Sequence, residues 1–422
     1  MITPEEALKA IIEKVKLLPA QSTPLAETLG LVLAENITSR DNIPPFDNSA
    51  MDGYAVRVAD IAGATYANPV MLEVVADIKA GDVGDAEIVS GTAARIMTGA
   101  QVPAGADAVV KVEDTTTKES GERDKFVTNG GSVMLPVEIK ASARPGENIR
   151  RAGEDIAAGA AVLSQGTAIG PAEIGVLASL GFASVSVYRR ARVAVITTGD
   201  ELIEIAEALK PGKIRNSNAY SLAAQIETAG AEPIRLGIAA DTKEDVRNRI
   251  ATALAKADVI LTTGGVSVGQ YDVVKDVLEE MGAERIFWKV AQKPGKPLGF
   301  WLLDNAFIFG LPGNPVASMV CFEEYVRPAV RKMMGYSRLF RPSVDAILTA
   351  DIKKKKGRVH LIRVMTEIKN GEYFAASTGP QGSGILKSMV LADGLAIVPA
   401  DVEFVAAGEK VRTRLITMPE DH

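Results

Sequence analysis

Between Arg192 and Gly265 the chain alternates two kinds of segment in a way that few folds accommodate: RVAVIT, NAYSLAAQIETAG, PIRLGIA, KEDVRNRIATALAKA and DVILTTGG. The first, third and fifth are short, largely apolar and rich in β-branched residues, so strands built from them must be covered on both faces. The second and fourth carry apolar residues at helical spacing. Strands joined by crossover helices run parallel, and the stretch therefore predicts a parallel α/β sheet. The sheet is expected to continue through AFIFG (306–310) and the helix VASMVCFEEYVRPAVRKMM (316–334).

One such sheet does not use up 422 residues. At roughly 150 residues per domain the chain has room for about three. Thr3, Pro4 and Glu6 spell a capping box with proline at the first helical position, and Leu8, Ile11, Ile12, Val15 and Leu18 follow on one face, which predicts an amphipathic helix. Residues 21–50 are rich in proline and small polar residues and lead into a new module near residue 41. From there to 140, short β-like runs (VMLEVVADI, TAARIMTG, ADAVVKV) are split by glycine-rich turns, and TTTKESGERDK (115–125) reads as an exposed hairpin tip. Residues 141–170 read as turns and short strands returning to the first region.

The expected fold is thus α/β plus β and multidomain. A discontinuous N-terminal domain (1–40 and 141–170, helix plus strands) carries an inserted mostly-β domain (41–140). A central parallel α/β domain (171–337) and a C-terminal β-barrel-like domain (338–422) follow.

Composition removes several kinds of chemistry. No apolar run approaches the roughly 20 residues of a membrane span, and MITPEEALKA lacks the regions of a signal peptide, so a cytoplasmic location is expected. The single cysteine, Cys321, excludes an internal disulfide and a thiolate zinc site, and it is expected to pack in a core. With only His360 and His422, a histidine triad or multi-histidine metal site is excluded. A net charge of −6 argues against a general nucleic-acid surface. Carboxylates, lysines and backbone amides must carry the chemistry.

Polar loops follow the predicted strands: TTGDE (197–201), AADT (239–242), TTGGVSVGQYD (262–272) and LPGNP (311–315). In an open parallel sheet these share one edge, where ligands bind and helix N-termini offer free amides. Gly264, Gly265 and Gly269 would let backbone amides approach a phosphate, with Ser267 in the same loop. The loop is neither a Walker loop nor GxGxxG, and each loop taken singly is also compatible with ordinary turn chemistry. KPGKP (293–297) adds two lysines stiffened by prolines.

SAMDGYA, IMTGA, RRAGEDI, TTGDEL, TTGGVSVG, KPGKP and GLPGNP occur in this order, and with them nearly the whole chain resembles the MoeA family of molybdopterin molybdenumtransferases and is similar to the gephyrin E domain. The resemblance implies an elongated four-domain homodimer with sites shared across subunits. It implies an enzyme of molybdenum cofactor biosynthesis that inserts molybdenum from molybdate into the dithiolene of adenylylated molybdopterin, releasing AMP with Mg2+ as cofactor. Two alternatives stay open: the adenylyltransferase of the preceding step, which should lack the SAMDGYA module, and a gephyrin-type scaffold, which a proline-rich linker and a second catalytic domain would favour.

Under this resemblance Lys293 and Lys296, with Lys289 upstream, are the charge partners of the molybdate dianion and the substrate phosphates. Arg363 and Ser383 stand beside the oxyanion, with Arg358 a further possibility, while the KKKK run (353–356) is a solvated strand end without an acidic counterpart. Asp241 and Asp272 follow the second and third sheet strands and would hold magnesium through oxygen ligands. Glu201 and Asp155 are candidates for positioning or activation, with Asp200 a helix cap. Asp52 and Thr98 match functional positions of the family, whereas Met51, Met97 and Tyr54 read as packing. Pro312 and Pro315 shape the last loop, with Asn314 as a helix cap.

Overall fold

The computed structural model describes residues 1–83, 85–117, 136–265 and 273–417. They fall into two compact units, Met1–Glu35 with Gln165–Ile174 and Ala183–His422, and Asn36–Ser164 with Gly175–Phe182.

The first unit opens with α1 (Pro4–Lys14), started by the reciprocal cap its sequence spells: the Glu6 amide donates to Thr3 Oγ1 at 3.1 Å, and the Thr3 amide to Glu6 Oε2 at 2.8 Å. The α/β elements follow as β1 (Arg192–Thr198), α2 (Ser217–Thr228), β2 (Glu232–Ala239), α3 (Lys243–Leu254), β3 (Val259–Thr263), α4 (Val273–Glu280), β4 (Glu284–Trp288), β5 (Gly299–Leu303) and β6 (Ala306–Leu311). The strand order is β2-β1-β3-β6-β5-β4. The first four strands are parallel, as their crossover helices require. The last two are antiparallel additions at one edge, β5 joined to β6 through a tight turn and β4 pairing with β5.

Strand alternation sends the two halves of VAVI to opposite cores. Val193 and Val195 join Ala7, Ile11, Leu222 and Val330 on one face; Ala194 and Ile196 join Val246, Ile250, Val274 and Trp301 on the other. Residues 315–333 form a continuous helix whose middle turn, Phe322–Val326, is widened to π form. Cys321 is buried on it, and burial pushes its thiol well up, so it packs rather than reacts.

The chain then closes a small barrel from β7 (Ser343–Leu348), β8 (Val359–Lys369), β9 (Glu372–Ser377), β10 (Gly394–Val398) and β11 (Lys410–Leu415). Its ring runs β8-β9-β7-β11-β10 and back to β8, which removes free edges. The segment Gln292–Lys293 adds to β8 in parallel, tying the KPGKP loop to the barrel.

The KKKK run departs from the expectation of an unaccompanied, solvated strand end. Ile352–Lys353 pairs antiparallel with Phe404–Val405, which brings acidic neighbours alongside: Lys356 lies 3.9 Å from Glu403, and Asp401 and Glu403 act on Lys354. Lys354 is half-buried, its Nζ donating to the carbonyls of Arg358 (3.1 Å) and Ala400 (3.3 Å).

The second unit is mostly β. Its six-stranded sheet has the order 108–111, 53–56, 92–96, 70–78, 137–139, 115–117, over a core of Tyr54, Val56, Ile61, Leu72, Val74 and Val137. Residues 161–163 and 149–150 return to pair with 37–38 and 48–49. Residues 118–125 of the expected hairpin tip lie outside the described residues; the segments Thr115–Thr117 and Val137–Ile139 that flank it pair antiparallel.

Candidate functional site

Three loops at the carboxyl ends of β1, β3 and β6 enclose a cavity of about 800 Å³ that Glu201, Gly264, Gly265, Lys296, Pro312 and Pro315 help to line. Its floor depends on backbone approaching backbone. Gly264 has φ +93°, and a Cβ there would lie 2.2 Å from the Thr198 carbonyl oxygen; Gly265, at φ +61°, would meet the Val274 side chain at 2.7 Å. A Cβ on Gly313 would reach Gly264 Cα at 3.5 Å. Glycine is needed at the first two positions for both conformation and space.

Side chains that the motifs did not single out hold these loops together. Asn218 Nδ2 donates to Thr263 Oγ1 and to the Gly313 carbonyl, both at 2.8 Å, while Thr263 Oγ1 donates to the Pro312 carbonyl at 3.0 Å. Asn216 caps α2 through the Ala219 amide and donates to Thr197 Oγ1 at 2.9 Å. Arg215 also lines the cavity. The signal was present in RNSN, which leads into a helix, and in the Thr pairs that end β1 and β3.

Asp241 and Asp200 cross at the ends of β2 and β1: the Asp200 amide donates to Asp241 Oδ2 at 3.3 Å and the Asp241 amide to Asp200 Oδ1 at 3.2 Å. Desolvation raises the Asp241 pKa, and the charges of Asp200 and Glu201 add to it against the lowering effect of the Asp200 amide. A hard divalent cation fits this oxygen-only, like-charged donor set. Among the described residues no three acidic, histidine or cysteine side chains are close enough to hold an ion, and Asp272, Ser267 and Gly269 lie outside the described residues.

The KPGKP lysines diverge. Lys296 faces the sheet-edge cavity, but Lys293 lines a separate cavity of about 430 Å³ against the barrel. The loop's course is set by buried contacts. Gln292 Nε2 donates to the Pro294 carbonyl at 3.0 Å, Tyr325 donates its hydroxyl proton to Gln292 Oε1, and a Cβ on Gly295 would sit 2.5 Å from Cys321 Sγ. Lys289 lines neither cavity; it holds φ +70° and its amide donates to the Leu298 carbonyl.

Arg363 is fully buried within the barrel. Its Nε donates to Ser388 Oγ at 2.9 Å and its Nη2 to the Gly382 carbonyl at 3.1 Å, so in this structure it braces the 380–382 loop and is screened from solvent. That loop continues to half-buried Ser383, whose carbonyl accepts from the Val316 amide, and to Gly384, on the wall of the sheet-edge cavity.

In the second unit Asp52 and Thr98 meet: the Thr98 amide (2.7 Å) and hydroxyl (2.8 Å) both donate to Asp52 Oδ1, and these bonds, the amide first, hold the Asp52 pKa below the usual carboxylate range. Asp155 is exposed, its amide bound to the Ile43 carbonyl.

Residues 2–181 match the family described as MoeA N-terminal region (domain I and II), 194–332 a probable molybdopterin binding domain, and 345–415 the MoeA C-terminal region (domain IV). The chain is 40% identical to molybdopterin molybdenumtransferase 2 of Mycobacterium tuberculosis over 97% of its own length and 98% of that protein's. With the Haemophilus influenzae molybdopterin molybdenumtransferase it shares 37% identity over 97% of its own length and 98% of that protein's. A crystal structure of the molybdopterin biosynthesis MoeA protein from Pyrococcus horikoshii superposes with a TM-score of 0.80 at 31% identity, covering 98% of this chain and 100% of that one.

Proposed function

Because the chain belongs to the MoeA family of molybdopterin molybdenumtransferases, enzymes of molybdenum cofactor biosynthesis, we propose that it binds adenylylated molybdopterin at the carboxyl edge of the sheet. There it inserts molybdenum from molybdate into the dithiolene and releases AMP. The observation that carries this reading is the glycine-floored cavity of about 800 Å³, inside the span that matches a molybdopterin binding domain. Its size suits a nucleotide-linked cofactor precursor.

In this reading the backbone of 264–265 and the Lys296 ammonium offset the pyrophosphate charge. Hydrolysis of the phosphoanhydride breaks one P–O bond, adds water across it, and leaves AMP and the molybdopterin phosphate. Glu201, on the cavity wall, accepts the proton of the attacking water at its carboxylate. The dithiol condenses with molybdate: two Mo–S bonds form, one Mo–O bond breaks, and that oxygen departs as water with the two S–H protons. Asp241, with Asp272, would hold Mg2+, which supplies charge neutralisation at the phosphates. Asp52 and Thr98 serve as a preorganised carboxylate and donor pair for the site of a second subunit in a homodimer.

The deciding experiment is a titration of the purified protein with adenylylated molybdopterin and molybdate or tungstate, following AMP release. Release that depends on oxyanion and Mg2+ is expected. No release with either oxyanion would refute the function.

A further inference from the structure

We propose that a cavity of about 390 Å³, walled by α2, the helix 315–333 and the barrel, binds a small monocarboxylate with an apolar or aromatic body and a neutral hydrogen-bond donor close to the carboxylate.

The helix 315–333 lies on the barrel because Val316 and Val320 share a core with Leu361, Met389, Leu395 and Ile416. The Leu415 amide donates to the Pro342 carbonyl at 2.9 Å and closes the chain around the same place. One wall of the resulting cavity is apolar, made of Met319, Met389, Ala392, Leu415 and Ile416. Methionine is unbranched and polarisable, so this wall suits a flat or flexible apolar body.

The opposite wall is polar and is built around Glu323, on the turn that is widened to π form. Glu323 is 5% exposed and two guanidiniums share it: Arg341 Nε lies 3.1 Å from its Oε2 and Arg327 Nε 3.9 Å. Glu324 beside it is matched one to one by Arg414, and Asp393 gives its carboxylate to the Thr366 amide at 2.7 Å. Two guanidiniums against one carboxylate leave one positive charge in excess. Arg341 presents it to the cavity, since its Nε is spent on Glu323 while its Nη groups make no hydrogen bond among the described residues. Arg327 feels the same excess: burial, then the charges of Arg341 and Arg331, lower its pKa to about 10 against the raising effect of Glu323. A monoanion relieves this imbalance, and a carboxylate matches the two Nη donors.

Gln225 supplies the second requirement. Its Nε2 is committed to two acceptors, the Met319 carbonyl and Glu323 Oε1, each at 3.2 Å, which fixes the orientation of the amide. Its Oε1 is thereby left buried on the cavity side with no partner among the described residues. A buried acceptor without a donor is costly, and a ligand hydroxyl or amide answers it. Gln225 and Arg341 flank one carboxylate, so the two groups they recognise must be near neighbours in the ligand. The volume stands at the small end of ligand cavities, roughly 300–1,000 Å³, and limits the occupant to a compact molecule.

3-Phenyllactate is the probe; 3-phenyllactamide lacks its charge and 3-phenylpropionate its hydroxyl. In full-length protein labelled with 13C at the methionine methyls, the Met319 and Met389 signals, assigned by single Met→Leu variants, should shift saturably with phenyllactate. The Kd should be about 1 mM or below for a ligand of this size, and Met71 in the second unit should not respond. Each of the two other compounds should bind at least about fivefold more weakly.

Arg341→Gln should weaken phenyllactate binding by about tenfold and leave phenyllactamide unaffected. Thr228→Trp, at the exposed end of α2, fills the cavity mouth without entering the core and should abolish binding of all three compounds, with cooperative urea unfolding showing that the fold is kept. No saturable shift at Met319 and Met389, equal affinity for either comparison compound, or an affinity unchanged in Arg341→Gln or Thr228→Trp would each overturn the site. None of these readouts requires turnover, so they decide the question even if AMP release fails.

Discussion

Replacing Gly264 by alanine tests whether the cavity floor is built from backbone contact. Two costs are separable. Adopting φ +93° with a Cβ costs about 1–2 kcal/mol wherever it occurs. The Cβ would also stand 2.2 Å from the Thr198 carbonyl oxygen and 2.9 Å from its Oγ1. A rigid strand end must then move, at about 1–3 kcal/mol by analogy with overpacked cores. Gly212 supplies the control, with φ +76° and nothing within 4 Å of the place its Cβ would take. Gly212→Ala should therefore lose about 1–2 kcal/mol and Gly264→Ala about 2–5 kcal/mol.

Both tryptophans, Trp288 and Trp301, lie in the α/β sheet, so urea unfolding followed by their fluorescence reports on this domain. AMP release by Gly264→Ala should fall by at least about tenfold, since a displacement of the order of 1 Å at a binding loop is costly, while Gly212→Ala keeps its activity. Equal stability losses in the two variants would show that the Thr198 contact is not strained, and the backbone-contact account of the floor would be wrong.

Lys296→Ala should weaken adenylylated molybdopterin binding by about tenfold, whereas Lys293→Ala should alter oxyanion dependence alone; steady-state titration of each substrate separates them, and identical profiles would refute the division of the loop between two cavities. Asp258 accepts two bonds from Arg189 (2.7 and 2.6 Å) and the Arg192 amide (2.8 Å), so Asp258→Asn should destabilise the α/β domain by about 2 kcal/mol in the same fluorescence assay. For Asp52 the depressed pKa means that the stabilisation from Thr98 is present above the unfolded carboxylate value of about 4 and is lost as pH falls through the folded value. Thr98→Val should move the Asp52 titration upward by NMR, and an unchanged titration would show that the Thr98 hydroxyl contributes nothing. Mixed dimers of an Asp52→Ala, Thr98→Ala chain with an Asp272→Asn chain should recover activity that neither parent has; purified heterodimers as inactive as both parents would place each site within one chain.

The legible parts of this protein were those whose physics is local. The Thr3 and Glu6 cap closes within one turn, and the alternation in VAVI declares two buried faces before any partner is known. Four loops at strand ends had to share an edge once the strands were parallel. TTGG reads as glycine that lets backbone amides approach a phosphate; what the fold adds is a second demand on Gly264, close approach to the Thr198 carbonyl of the neighbouring strand.

What stayed hidden depended on contacts distant in sequence. The two KPGKP lysines look equivalent in the chain, and only the packing of Gly295 and Gln292 against Cys321 and Tyr325 sends them to different cavities. The family resemblance alone sets Arg363 beside the oxyanion; the barrel buries it and supplies Ser388 and the Gly382 carbonyl as its partners, a burial that nothing in the local sequence declares. The lysine run seemed to lack acidic company until strand pairing brought Glu403 beside it. The sequence by itself determined the elements, the parallel sheet and the edge at which its polar loops gather, because helix caps, side-chain periodicity and crossover connections are set by near neighbours. Tertiary structure alone decided which cation serves which cavity, because a flexible side chain takes its direction from the surface against which its backbone is packed.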